Sequence, residues 1–133
     1  MKNKFYIVLY LVIFFSPLSA ENLNIQSSAI SIDKDKQLSI FKDNVVATDD
    51  KNNILKTDYA EYNKDTKIFN SKGRSVLETS EGYTLKGANL IFDSKKDIIN
   101  SNDPAIITDL AGNNIYLDNF EYLTKRKFFK SIG

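Results

Sequence analysis

The side chains able to do chemistry are few, and their types narrow what the chain can be. There is no His, no Cys and no Trp in 133 residues. Ser-His-Asp and Cys-His nucleophiles, and imidazole or thiolate metal sites, are therefore excluded. Carboxylate pairs remain, the groups that glycosidases use. Nothing in the pattern gathers two of them at a shared apolar site, so no enzyme, no metal and no cofactor is expected. Asp33 with Asp35 and Asp49 with Asp50 could lend oxygens to Ca²⁺, but they lack the spacing of a calcium loop and read as turn formers. One basic cluster, Lys125-Arg126-Lys127 with Lys130, is suited to phosphate, which favours charge-assisted contacts with Arg and Lys. A solvated hairpin edge is the simpler account of the same residues.

At this length there is room for one domain. Residues 1–20 read as a secretory signal peptide. Lys2 and Lys4 give a charged start, Phe5 to Phe15 an apolar run, and Leu18-Ser19-Ala20 a small-residue cleavage site after Pro17. The mature domain is then residues 21–133, starting at Glu21. The apolar run is shorter than the roughly 20 residues that span a bilayer. An uncleaved membrane anchor stays open as an alternative because Leu18 is an imperfect cleavage-site residue. Export means an oxidising compartment, yet without Cys no disulfide can form, so stability must come from packing and ladder hydrogen bonds. Loss of Lys2 and Lys4 leaves 16 basic against 17 acidic residues. Nucleic acid is not an expected partner at that balance, since phosphate backbones are bound through a concentrated basic surface.

A repeat of 30 residues, without gaps, positions these side chains. Ile30, Ala60, Leu90 and Phe120 share a first column, Ile32, Tyr62, Phe92 and Tyr122 a second, and Leu38, Ile68, Ile98 and Phe128 a third. Val46, Val76 and Ile106 form a fourth, Ala47, Leu77 and Ile107 a fifth, and Leu55, Leu85 and Ile115 a sixth. The breaks keep the same period. Asn52, Gly82 and Gly112 are types at ease in a left-handed backbone. Asp43, Gly73, Asp103 and Gly133 make a second break, and polar turns opening at Asp33, Asn63 and Asp93, with Leu123 as their less typical last member, make a third. Each unit is thus expected to carry three strands and three turns.

Strands are assigned from alternation and from enrichment in Ile, Val, Tyr, Phe and Thr. The longest strand of each unit changes its inward phase partway: from Leu55 to Ala60 and Tyr62, from Leu85 and Gly87 to Ala88, Leu90 and Phe92, and from Ile115 and Leu117 to Phe120 and Tyr122. A strict period-two strand cannot hold all of these on one face. A bulge or corner must intervene and carry the strand from one sheet to another. The expected fold is all-β, with two antiparallel sheets and an apolar interior between them.

Ile54-Leu55-Lys56-Thr57-Asp58-Tyr59-Ala60-Glu61-Tyr62 and Tyr83-Thr84-Leu85-Lys86-Gly87-Ala88-Asn89-Leu90-Ile91-Phe92 resemble the OstA-like repeat of the bacterial lipopolysaccharide-transport machinery. Asp43-Asn44-Val45-Val46 stands where that family has Gly-Asn-Val. The match runs from about Ile30 to Phe129 and is a pattern of residue types, not an invariant motif. The resemblance implies an antiparallel β-jellyroll, open like a V or a taco shell, in a periplasmic protein whose apolar groove holds the acyl chains of lipopolysaccharide. Family members include the soluble bridge protein LptA, the inner-membrane-anchored LptC and the periplasmic N-terminal domain of the outer-membrane LptD. They stack end to end by strand pairing, so other jellyroll modules are implied as partners. On this reading the residues of the first four columns and of the sixth line the groove, and the lipid A phosphates are what the Lys125-Arg126-Lys127 cluster would meet. Each lining residue also reads as plain core filling.

Two alternatives stay open. The array is one that a non-carrier interaction module could use for its surfaces, with no lipid inside. Residues 127–133 repeat the opening of a unit, so the array is expected to stop partway through one and leave a sheet edge. That edge would pair with another module, run on into a longer chain such as an LptD-type outer-membrane assembly protein, or fray.

Overall fold

In the computed structural model, residues 18–20 and 23–131 are described. Every regular element among them is a strand, and all belong to one antiparallel sheet that doubles back on itself. Two long strands, β4 (Leu38–Asp49) and β5 (Ile54–Asn63), run through both halves. The first half-sheet holds β1 (Leu18–Ala20), β2 (Leu23–Gln26), the C-terminal part of β4 and the N-terminal part of β5, then β7 (Arg74–Glu78), β8 (Thr84–Ala88), β11 (Ala105–Thr108) and β12 (Asn114–Leu117). The second holds β3 (Ala29–Asp33), the other ends of β4 and β5, then β6 (Ile68–Ser71), β9 (Ile91–Asp93), β10 (Ile98–Ser101), β13 (Phe120–Leu123) and β14 (Phe128–Lys130). The chain crosses between the halves after β2, β6, β8, β10 and β12 and within β4 and β5, which makes the fold an antiparallel β-jellyroll. The expected signal peptide lies outside the described residues except for Leu18–Ala20, whose backbone pairs with β2.

The corner is where the inward phase had to change. Lys42 pairs with Tyr59 and Val45 with Thr57, so Asp43 and Asn44 together oppose the single residue Asp58. Both take left-handed backbone, φ 65° and 55°, which Asp and Asn tolerate better than other side chains. In the later units the long strand is interrupted outright: Asn89 (φ 52°) separates β8 from β9. Those units therefore carry four strands where three were expected. The groups that the crossing removes from the ladders are satisfied by short polar side chains. Ser71 Oγ accepts the Leu90 amide at 2.8 Å, and Ser101 Oγ donates to the Ala88 carbonyl at 2.7 Å. Asn89 accepts the Gly73 amide at 2.8 Å and donates to Asp103 at 2.7 Å.

Turns on the side opposite the corner repeat in the same way. Asp49 and Asp109 each accept two amides of their own turn through Oδ1, those of Lys51 and Asn53, and of Ala111 and Asn113. These bonds, from Asn113 above all, hold the Asp109 carboxyl below its ordinary pKa. Asn52, Gly82 and Gly112 are left-handed, as their types suggested. In the second half-sheet Asn63 and Asp93 cap the hairpins that they open, and Leu123 has no side chain to do so. The left-handed residue of each hairpin is Gln37, Lys67, Asp97 or Lys127, a column that residue type did not reveal.

The core is two sets of inward ladders. Ile25, Ala47, Leu55, Leu77, Leu85, Ile107 and Ile115 stand in register across the first half-sheet. Tyr62, Phe69, Phe92, Ile99, Tyr122 and Phe129 do so across the second. This settles which columns face inward. Val46, Val76 and Ile106 neighbour Ala47, Leu77 and Ile107, and adjacent residues of a strand cannot both point in. The buried member is the fifth-column one, so the fourth column lies on the outer face, alternating across strands with Lys56 and Lys86. Leu38, Ile68, Ile98 and Phe128 are likewise outward, because Ser39, Phe69, Ile99 and Phe129 take the inward positions. Ile30 is only half-buried and Ile32 is exposed, since β3 is an edge strand. Denaturant unfolding should separate the two faces. Leu77→Ala is expected to cost about 2–5 kcal/mol, and Val76→Ala, one residue away on the outer face, under about 1 kcal/mol.

Candidate functional site

The two half-sheets meet along a seam on the side away from the corner. One rim is formed by the turns at residues 49–53, 79–83 and 109–113, the other by the hairpins at 34–37, 64–67, 94–97 and 124–127. The first rim carries four acidic residues and one lysine, and the second carries nine basic residues and three acidic ones. Contacts across the seam are staggered. Lys51 of the first turn reaches Asp97 of the third hairpin at 3.4 Å. Tyr122, beside the fourth hairpin, makes a side-chain hydrogen bond to Thr79 of the second turn. Tyr83 of that turn stacks on Phe129, with ring centroids 6.3 Å apart.

By this stagger the third turn, 109–113, faces no hairpin among the described residues, and there the interior opens. A cleft of about 430 Å³ lies between the end of the first half-sheet, at Tyr83, Ile107, Ile115 and Leu117, and the end of the second, at Phe128 and Phe129. Asp109, Lys127 and Lys130 stand at its edge, with Lys130 paired to Glu121 at 3.3 Å. Its floor is aromatic: Phe129 lies 4.4 Å from Tyr122 and 6.2 Å from Phe120, measured between ring centroids. A volume of this size lies within the range of small-molecule sites, and its apolar lining with a few polar groups at the lip suits an amphiphile.

The sequence-predicted lining divides three ways. Leu55, Ala60, Tyr62, Leu85, Leu90, Phe92, Phe120 and Tyr122 face inward but are buried against each other, at most 3% exposed. Ile30, Ile32, Leu38, Val46, Ile68, Val76, Ile98 and Ile106 do not line the cleft, for the reasons of strand phase and edge position given above. Ile115 and Phe128 do line it. Ile107, Leu117, Phe129 and Tyr83 were missed as lining. The signal for Phe129 was its place one residue after an outward Phe128, and Ile107 sat in the one apolar column left out. Which end of the array is open follows from the stagger alone.

A solved structure shares this architecture over most of both chains. The crystal structure of LptH from Pseudomonas aeruginosa, the LptA homologous periplasmic component of the conserved lipopolysaccharide transport device, aligns with a TM-score of 0.68. The fold is shared with LptH. Identity is 15%, over 82% of this chain and 80% of that one. No family model matches the chain, and no curated protein matches it.

The seam also carries a titratable group. Burial, and then the charges of Glu81 and Asp49, push Tyr122 up to about 12, with the hydrogen bond to Thr79 working the other way. Because the folded state holds this proton more tightly than the unfolded chain, stability is whole below about pH 10 and is lost as pH rises toward about 12. Unfolding midpoints measured across that window are expected to fall for the natural chain. Tyr122→Phe should flatten most of the fall, leaving the smaller parts due to Tyr59, which burial and Glu61 raise, and to Lys51, whose desolvation is outweighed by Asp50 and Asp97 so that its net shift is also upward.

Proposed function

We propose that this chain is a periplasmic lipopolysaccharide-transport module that shelters acyl chains at the apolar cleft and performs no catalysis. The observation that carries the reading is the cleft itself: an opening between two β-layers, lined by Ile107, Ile115, Leu117 and Phe129, that continues the buried core to the surface. Each methylene sheltered there is worth about 0.8 kcal/mol. The shared fold with LptH, described as a periplasmic lipopolysaccharide-transport component, supports the same role and compartment. A signal peptide at residues 1–20 fits export. The absence of His and Cys leaves little for catalysis to use.

Strand pairing with other jellyroll modules is part of the proposal. β12 pairs with β11 and β14 with β13, and no further strand lies beyond either among the described residues. Among the described residues, four of the five large apolar side chains that stay exposed, Leu110, Ile115, Tyr116 and Phe128, gather at this end, and Ile32 lies on edge strand β3 at the other. Edges of this kind are normally covered or paired. The partner module can equally be a later part of a longer LptD-type chain.

The packed centre of the molecule favours one rival, an interaction module that carries no lipid. Photocrosslinking groups at Ile115 and Leu117 decide between them. Capture of lipopolysaccharide there and not at Tyr116, the outward neighbour of both, is the expected result. Leu117→Asp should lower copurifying lipid about tenfold or more, since an ionised carboxylate in the cleft costs several kcal/mol to desolvate. Crosslinks to protein alone from all three positions would overturn the lipid reading.

A further inference from the structure

The cleft cannot take long tails unless the half-sheets part, because behind it Phe120, Tyr122 and Leu85, which neighbour the lining residues Phe129 and Ile107, are packed to 1% exposure or less. What holds the half-sheets together on the open side is therefore a control point. Among the described residues, Lys51 with Asp97 and Tyr122 with Thr79 make polar contacts across the seam. The Tyr122 bond belongs to a buried ladder residue and moves with the core. The ion pair instead joins two turns at the surface, 46 residues apart in sequence.

Both partners of that pair are held in place. Asp97 has a left-handed backbone, φ 57°, and its carbonyl accepts bonds from the amide (3.0 Å) and hydroxyl (3.1 Å) of the buried Thr124. Its carboxylate, 11% exposed, splits its oxygens: Oδ1 to Lys51 at 3.4 Å and Oδ2 to Lys125 at 3.4 Å. Lys125 lies on the neighbouring hairpin of the same half-sheet, so only Lys51 bridges the seam. Lys51 is also the one cation in the turns of its rim, and Asp50 holds its ammonium at 3.0 Å.

We propose that Lys51 and Asp97 form a clasp across the open side of the jellyroll, one that sets how far the rims separate and so how deep a tail can enter. The second half of this statement rests on the lipid-carrier reading. The first half does not, since it concerns the empty protein. An ion pair at a partly exposed seam suits such a role because it is worth little in absolute terms and is weakened by salt, so it biases an opening without locking it.

The test measures the rims directly. The chain has no Cys, so Ser80→Cys on one rim and Lys96→Cys on the other, both exposed, take two spin labels cleanly for pulsed-resonance distance measurement. Asp97→Asn removes the charge while keeping a residue type that tolerates the left-handed backbone. Lys51→Gln removes the other partner. Each should raise the separated population about fivefold, the ratio expected for a bias near 1 kcal/mol. Lys125→Gln, which touches Asp97 but bridges nothing, should leave the distances as in the natural chain. Unchanged distances in both Asp97→Asn and Lys51→Gln would overturn the clasp, as would equal separation in all three variants. If Asp97→Asn fails to fold, Lys51→Gln decides alone. Because no lipid enters this measurement, its failure is distinct from failure of crosslinking at Ile115 and Leu117.

Discussion

A β-strand shows alternate side chains to alternate faces, and in this chain the same strand must point inward on both sides of a corner. The rest of the molecule follows from how that conflict is met. One extra residue at Asp43-Asn44 shifts β4 against β5, and the inward set passes from Thr57 to Ala60 while Asp58 stays exposed. The left-handed backbone this needs is supplied by Asp and Asn, and the amides and carbonyl freed at the breaks of the later units are taken up by Ser71, Ser101 and Asn89. Each later unit repeats the solution in a sharper form, with the strand broken outright. Two half-sheets then face each other and share one core.

The facing is not in register along the array, and the functional character of the molecule comes from that. Lys51 meets Asp97, Thr79 meets Tyr122, and Tyr83 meets Phe129, a nearly constant offset of more than one unit. At one end the first half-sheet therefore extends past its counterpart, and Ile115 stands where in earlier units Leu55 and Leu85 are buried. The ladder position is the same; only the covering layer differs. An apolar cleft with an edge strand on each lip is the direct product of a repeat laid down on two offset layers.

Charge is arranged across the same seam. The turns of one rim are acidic and the hairpins of the other basic, so the long-range field draws the rims together, while the contact actually made is of the opposite polarity, lysine on the acidic rim and aspartate on the basic one. Close pairing and overall attraction thus act together, and the basic hairpin residues Lys127 and Lys130 remain beside the cleft.

Much of this was legible from residue types alone. The 30-residue period, the all-strand content, the phase switch and the left-handed turn at Asn52, Gly82 and Gly112 are local properties. Strand pleat and turn sterics act over a few residues, so a few residues record them. Facing was less legible wherever both neighbours are apolar: Val46-Ala47, Val76-Leu77 and Phe128-Phe129 carry no alternation to read, and the inward member was chosen by packing. The left-handed residues Gln37, Lys67, Asp97 and Lys127 were hidden for a related reason, since hairpin geometry imposed a conformation that their types do not advertise.

By itself, then, the order of residues determined an antiparallel β-array of repeated units with a corner in each and an apolar interior. Tertiary structure alone decided that the two layers are offset, and so which of many equivalent apolar side chains are sealed in the core and which few line a cleft. The reason is physical: burial depends on what lies opposite, and the residues opposite are 43 to 46 positions away, beyond the reach of any local pattern.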